Sequence, residues 1–422
     1  MKTQITMSAP DITSQEISAV VEVLESSSLS IGPRLERFEA EFARYHGLTK
    51  AAGVSSGTAG LQLCMIAAGV EEGDFVLTTP FSFIASSNCV LYQRAIPIFV
   101  DIDPETGNMN PALAVEAIEA FAAGKQAQLD WLPRALRAPA NGGTAGKGAL
   151  KAVVAVHAFG QPCEMTPLLS AAHRFGIPVI EDACEAIGAE YRGQKAGTFG
   201  DAAVFAFYPN KQMTTGEGGM IVYRREEWDP LFRSLRNQGR DIFDAWLNHS
   251  RLGYNYRLDE MSAALGLVQL QRLDELLAKR ARVAAWYGEH LKGMPLLKPL
   301  AFSPSTTRMS WFVYIIRLSP EIDRDRLMAR LDEQGIPTRP YFTPIHLQSF
   351  YREKFHYRPG DFPQAETAGR TFLALPFHGK MSEEQVATVC DALKKELPHA
   401  ALRKRTQVYL DHAHAQAASL ST

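Results

Sequence analysis

Cysteine is scarce in this sequence, which has five cysteines in 422 residues and no CxxC pair. A small, odd-numbered and scattered set is not the pattern of a disulfide framework or a structural zinc site, and it fits a reducing cytosol. We therefore expect no metal site. The five are Cys64, Cys89, Cys163, Cys184 and Cys390.

An excess of positive charge is also missing, since the formal net charge is −2. Without a strong positive field the chain has little attraction for nucleic acid or anionic lipid, so small molecules are the expected partners. The first residues contain no apolar signal core, and no apolar run approaches membrane-spanning length. We expect a soluble, cytoplasmic protein.

The composition is that of a globular protein, with 46% hydrophobic and 21% charged residues. From about residue 50 to 225, short and nearly continuous apolar runs alternate with helical patterns such as AGLQLCMIAAG. This alternation predicts an α/β fold, a three-layer sandwich with a mostly parallel sheet buried between helices. The predicted strands are 75–79, 96–101, 152–157, 177–182 and 201–207.

The chain divides into three predicted parts. Residues 1–260 form a large domain, 261–398 a smaller C-terminal α/β domain, and 399–422 a flexible tail. Within the large domain, the Gly/Ala/Pro-rich stretch 123–150 predicts a surface insertion. Its GGTAGKG segment superficially resembles a phosphate-binding P-loop, but Asn141 replaces the first glycine and Gly148 the metal-binding Ser/Thr, so we interpret it as a loop.

Lys211 stands alone in FAFYPNKQMTTGEGGM, with its nearest charge at Glu217. An apolar setting with few carboxylates favours the neutral amine, which can form an imine with an aldehyde cofactor. A solvent-exposed loop lysine is the ordinary alternative. The choice depends on what else the sequence provides.

Three other features favour the cofactor. Asp182 ends an apolar strand, where a carboxylate could keep a pyridine nitrogen protonated, although a helix cap is the alternative. Gly57 and Thr58 begin a predicted helix, where amides and a hydroxyl cradle a phosphate or simply cap the helix. Phe83 follows a strand end and could stack on a flat ring or belong to the core. Together these features match the binding groups of pyridoxal 5′-phosphate (PLP), and their order resembles that in fold type I PLP enzymes.

Four segments make the resemblance closer. SSGTAGL, EDACEAIGA, FYPNKQMTTGEGG and LGYNYRLDEMSAALGL resemble those of the DegT/StrS family of sugar aminotransferases. Weaker matches are HAFGQP (157–162), YFTPIHLQ (341–348) and LALPFH (373–378). They follow the family order across about residues 10–395, so the resemblance covers nearly the whole chain.

The resemblance implies a role for each matching residue. Lys211 would carry the cofactor and move the proton between substrate carbon and cofactor, while Asp182 would pair with the pyridine nitrogen. Phe83 would stack on the ring. The phosphate would be held by Gly57 and Thr58.

Asn255 of GYNYR would reach the phosphate from a partner subunit, which implies a homodimer with shared active sites. Two positions depart from the commonest family pattern. Glu185 replaces His or Gln near the cofactor's phenolic oxygen, as in members similar to perosamine synthases, and Ala206 replaces a phosphate-binding Ser. Because Lys211 is kept, and the family's deoxysugar dehydrases have His there, transamination is favoured.

The expected function is transfer of an amino group, from L-glutamate, to a keto group at C4 or C3 of a nucleotide-linked sugar. The product would serve polysaccharide, glycan or antibiotic sugar biosynthesis. One alternative is a keto-cyclitol aminotransferase of the scyllo-inosose type. Another, from a different class, is a non-catalytic PLP-binding regulator, which intact Lys211 and Asp182 argue against.

Overall fold

Seven short strands form the central sheet of the protein. The computed structural model describes residues 5–137, 148–241 and 248–402. The strands of all sheets in these residues are, in chain order, β1 (Ala51–Val54), β2 (Phe75–Thr78), β3 (Ile96–Phe99), β4 (Leu150–Val156), β5 (Val179–Asp182), β6 (Glu190–Tyr191), β7 (Gln194–Lys195), β8 (Ala202–Ala206), β9 (Gly219–Tyr223), β10 (Leu297–Pro299), β11 (Thr306–Arg308), β12 (Tyr314–Leu318), β13 (Arg339–Pro340) and β14 (Phe372–Leu375).

Helices occupy most of the connections between these strands. They are α1 (Ser14–Leu24), α2 (Pro33–Tyr45), α3 (Gly57–Ala67), α4 (Ala85–Tyr92), α5 (Pro111–Ala123), α6 (Lys125–Gln128), α7 (Arg134–Arg137), α8 (Met165–Arg174), α9 (Trp228–Arg236), α10 (Glu260–Gln271), α11 (Leu273–His290), α12 (Arg324–Asp332), α13 (Ser349–Phe355), α14 (Pro363–Thr371) and α15 (Glu383–Glu396).

The central sheet has the strand order β1-β9-β8-β5-β4-β2-β3. Only β9 runs against its neighbours, pairing antiparallel with both β1 and β8. The prediction of a mostly parallel sheet is therefore confirmed. All five predicted strands occur, with ends shifted by a few residues, whereas β1 and β9 were not predicted.

Helices cover both faces of this sheet, which confirms the three-layer sandwich. Successive side chains of a strand point to opposite faces, and β8 shows the consequence. Val204 packs with α3, α4 and α9 on one face. Phe205 packs with α2 and α10 on the other, where α5 and α8 cover the neighbouring strands.

A second sheet, β10-β12-β14-β13, is antiparallel. Its side chains pack with α12, α15 and the C-terminal half of α11. The N-terminal half of α11 packs instead with α2 and the central sheet. The boundary between the two hydrophobic cores therefore lies within α11 and not at residue 260. The predicted division into 1–260, 261–398 and a tail stays a prediction. After Asp259 the chain forms two consecutive helices, α10 and α11, which meet at Arg272.

The first part of the stretch 123–150 contains short helical turns rather than loop alone. After α6 come a 3₁₀ turn at Leu129–Trp131 and then α7. Leu132 is buried in the core beneath α5, and Arg134 pairs with Asp361 at 2.5 Å. Most of GGTAGKG lies outside the described residues, as does the predicted tail beyond residue 402.

Two further sequence expectations concern cysteines and membranes. All five cysteines are free thiols, and Cys184 alone among them is not fully buried. Among the helices of the described ranges, none is both long and apolar enough to cross a membrane.

Candidate active site

A cavity of about 560 Å³ opens at the carboxyl edge of the central sheet. Its floor contains Val156, Asp182 and Ala206, which are the last residues of the parallel strands β4, β5 and β8. Ligands of open α/β sheets bind at this edge, because strand ends and helix starts converge there. The cavity is therefore the candidate active site.

Lys211 lies in this cavity, in the turn that follows β8. Its side chain is 13% exposed, and Nζ lies 3.4 Å from Oε1 of Glu185. Nζ also lies 3.9 Å from the ring centroid of Phe312. The amine thus faces one carboxyl group and one aromatic face, in a largely enclosed setting.

Asp182 is held from two directions. Its Oδ2 accepts a 2.6 Å hydrogen bond from Oγ of Ser86, and its Oδ1 accepts one of 3.2 Å from the amide of Cys184. The residue is 6% exposed. Buried carboxylates require such partners, so these donors fix where the charge is presented to the cavity.

Glu185 is a second buried carboxyl group of the site. Its Oε2 accepts a 2.9 Å hydrogen bond from the amide of Phe159. Burial raises the pKa of Glu185 above its usual range, while Lys211 acts in the opposite direction. Burial and the neighbouring amine therefore act on this carboxyl group in opposite directions.

Gly57 and Thr58 begin α3 at the wall of the cavity. Oγ of Ser56 accepts a hydrogen bond from the amide of Ala59. The first amides of a helix have no acceptor within the helix, so those of Gly57 and Thr58 can bind a ligand. A Cβ on Gly57 would lie 2.8 Å from both Cβ of Ala206 and Sγ of Cys184. Glycine is therefore required for α3 to begin this close to β8.

Phe83 and Asn255 differ in their relation to the cavity. Phe83 lines it and is 63% exposed, which leaves a flat apolar face open to a ligand. Asn255 is exposed and is not among the residues that line the cavity of its own chain. Six of the seven sequence-predicted residues therefore meet in one place, and Asn255 does not.

Sequence reasoning missed several residues that complete the site. Ser86 lies on α4, while Phe312 and Tyr341 approach from the segments flanking the second sheet. Burial raises the pKa of Tyr341 to about 12, and the nearby Glu185 adds to this. The weak YFTPIHLQ match contained Tyr341, but no local signal identified Ser86 or Phe312.

The residues present fit a phosphorylated pyridine aldehyde. An enclosed amine, a buried carboxylate, an exposed aromatic face and a helix start with free amides surround one cavity. The buried Oδ1 of Asn210, which also lines the cavity, has no hydrogen-bond partner within the described part of the chain. In that part of the chain no cluster of His, Cys, Asp and Glu could hold a metal ion.

Comparisons with known proteins agree with this chemistry. The model of the DegT/DnrJ/EryC1/StrS aminotransferase family matches residues 10–394. GDP-perosamine synthase of Caulobacter vibrioides is 36% identical, over 93% of this chain and 98% of that protein. The spore coat polysaccharide biosynthesis protein SpsC of Bacillus subtilis is 34% identical, over 92% of this chain and 95% of that protein.

A solved structure extends the comparison to the fold. DesV of S. venezuelae has a TM-score of 0.79 and 32% sequence identity, covering 90% of this chain and 94% of that one. Family members are PLP-dependent and share the fold type I architecture. Since the family match spans nearly the whole chain, the protein belongs to the DegT/DnrJ/EryC1/StrS family and is a PLP-dependent aminotransferase.

Proposed function

We propose that this enzyme transfers an amino group from L-glutamate to a keto group, at C4 or C3, of a nucleotide-linked sugar in the cytoplasm. The product would enter polysaccharide, glycan or antibiotic sugar biosynthesis. The observation that carries the proposal is the Lys211 amine and the Asp182 carboxylate in one cavity of an aminotransferase. The similarity to a GDP-perosamine synthase supports a nucleotide-linked substrate.

Lys211 is the proposed acid–base residue of both half-reactions. Bound PLP supplies an electron sink and carries the amino group between the two substrates. Lys211 would hold the cofactor, and its amine would take and return the proton at the substrate carbon. A positioned group of this kind contributes about 10²–10⁴-fold. The enclosed setting supports this role, since it offers the amine few competing partners.

Asp182 is proposed to keep the pyridine nitrogen protonated. Its buried position and the two donors that orient it support the role, because a fixed carboxylate in a partly dry site acts strongly on a neighbouring cation. Asp182→Asn keeps the size and removes the charge. We expect a loss of turnover much larger than the loss of cofactor binding.

The remaining groups are proposed to orient the cofactor. Phe83 stacks on the ring, which its exposed face supports. Gly57 and Thr58 bind the phosphate through the start of α3, as anions bind helix N-termini. Glu185 contacts the phenolic oxygen, and its place in the cavity, 3.4 Å from Nζ of Lys211, supports this contact. Ala206 has no hydroxyl, so more of the phosphate contact falls to the other groups.

We further propose a homodimer in which Asn255 completes the partner's phosphate site. Two exposed apolar side chains support a partner at these places. Tyr208 lines the cavity and is 52% exposed, and Leu252, three residues before Asn255, is 84% exposed.

The two half-reactions of transamination test the proposed function separately. Holoenzyme incubated with L-glutamate alone should release 2-oxoglutarate once per active site, and the visible spectrum of the bound cofactor should change. Adding nucleotide-linked 4-keto or 3-keto sugars one at a time should then permit continuous release with the correct sugar. Lys211→Ala is the control and should give neither response.

Two outcomes would contradict the proposal. Continuous release with a keto-cyclitol and with no nucleotide-linked sugar would favour the cyclitol aminotransferase. A spectrum unchanged by every amino-acid donor would favour the non-catalytic regulator.

A further inference from the structure

Arg280, on α11, is a buried arginine that the proposed mechanism does not use. It is 4% exposed, and no carboxylate of residues 5–137, 148–241 or 248–402 forms an ion pair with it. Burial lowers the pKa of its guanidinium to about 10, so the side chain stays charged at neutral pH. Buried charges normally have a paired counter-ion, so the partners that replace one here are informative.

Those partners are four main-chain carbonyl groups in two segments. Nη2 donates to the carbonyls of Lys211 at 2.9 Å and Asn210 at 3.3 Å. Nη1 donates to the carbonyls of Phe312 at 3.1 Å and Trp311 at 3.3 Å. Because guanidinium is planar and rigid, its two nitrogens fix the distance between the two segments.

The two segments carry groups that meet in the active site. Lys211 provides the amine, and Phe312 provides the ring whose centroid lies 3.9 Å from Nζ. The backbone at Trp311 has a φ of +54°, which is strained for a bulky side chain and persists only when the surroundings hold it. Arg280 accepts no hydrogen bond and supplies only donors, so it suits this cluster of carbonyls.

We propose that Arg280 is a positioning residue that sets where the Lys211 amine lies, by holding the Lys211 main chain against the Phe312 segment. This inference rests on the role of Lys211 proposed above. It goes beyond that role because it assigns the placement of the amine to a residue on α11 that does not line the main cavity.

Two substitutions at Arg280 separate its geometry from its charge. R280K keeps the positive charge, but a single ammonium cannot span both segments as the fork does. R280M removes both the charge and the donors. The matched control is R282K on the same helix, where the exposed Arg282 lies over the ring of Trp286, with its Cζ 5.5 Å from the ring centroid.

The test compares two ligands added to the cofactor-free protein. PLP forms a covalent bond with the lysine, and the rate of that bond formation reports how the amine is placed. Pyridoxamine phosphate has no aldehyde and cannot bond to the lysine, so its affinity reports the rest of the cofactor site. Both are followed by absorbance or fluorescence, and neither requires turnover.

R280K should slow bond formation with PLP on the order of 10²-fold, since about 1 Å of misplacement can have that effect. Its affinity for pyridoxamine phosphate should match that of R282K and of the wild type. R280M should be slowed at least as much, and should it fail to fold, R280K alone carries the test.

Two results would overturn the proposal. R280K could form the bond at the wild-type rate, and a slowed R280M beside it would then assign the effect to charge. R280K could instead lose affinity for pyridoxamine phosphate in proportion to the rate, which would make Arg280 a support for the whole site. Bond formation that persists in Lys211→Ala would instead refute the proposed role of Lys211.

Discussion

Ser86 donates the shortest hydrogen bond that Asp182 receives, at 2.6 Å to Oδ2. Ser86→Ala removes that donor and leaves the amide of Cys184, at 3.2 Å, as the remaining partner among the described residues. If Asp182 must present its charge at a fixed place for catalysis, the substitution should slow the reaction without changing the fold.

The size of the effect follows from the hydrogen bond. A hydrogen bond to a charged group contributes about 1.5–3 kcal/mol, and each 1.4 kcal/mol in a barrier is about tenfold in rate. Because the Cys184 amide still orients one oxygen, we expect the lower end, a decrease of about tenfold in the rate constant of the half-reaction. The donor concentration that gives half the maximal rate should change little, because the lost bond is made to Asp182 and not to the donor.

The assay is the half-reaction with L-glutamate in single turnover, followed through the spectrum of the bound cofactor. Ser87→Ala is the matched control, since Ser87 is the next residue of the same helix, is buried and does not line the cavity. A rate for Ser86→Ala equal to that of the wild type, or equal decreases in both variants, would refute the reasoning about Asp182.

Three further predictions concern the phosphate site, acid stability and assembly. Gly57→Ala should weaken PLP binding because the added Cβ would lie 2.8 Å from Cβ of Ala206. Titration with PLP should show that the double variant with Ala206→Gly partly recovers the affinity. No recovery would contradict the steric cause. Burial lowers the pKa of His46 from 6.5 to about 4. Between these two pH values the histidine is protonated in the unfolded chain but not in the folded one, so stability falls as the pH drops from 6.5 to about 4. His46→Phe should flatten this fall in urea midpoints measured against pH, and an unchanged profile would contradict it. When the Lys211→Ala and Asn255→Ala proteins are mixed and exchange subunits, activity should partly return, because each heterodimer contains one native site. Verified subunit exchange without recovery of activity would reject the shared site.

The groups of the site that lie at strand ends and helix starts could be predicted from the sequence. Asp182 ends an apolar strand and Gly57 begins a helix, and both signals are local. The topology of a parallel sheet then brings such positions to one edge. Lys211 was recognisable because its neighbours in the sequence are uncharged.

The groups that required the structure are those positioned by distant contacts. Phe312 reaches Lys211 from the segment that precedes β12 of the second sheet, and Ser86 reaches Asp182 from α4. The end of α10 at Arg272 also required the structure, because α11 begins at the next residue and continues the helical pattern. Strand β1 was missed since its sequence, AAGV, has little of the β-branched character typical of strands.

Reduction of the holoenzyme with borohydride tests the central claim most directly. This treatment makes the bond between cofactor and lysine permanent, and peptide mapping then locates the label. We predict a single labelled peptide containing Lys211 and no label in Lys211→Ala. A label on another lysine, such as the partly buried Lys195 that lies over the ring of Tyr45, would contradict the assignment of Lys211 as the catalytic amine.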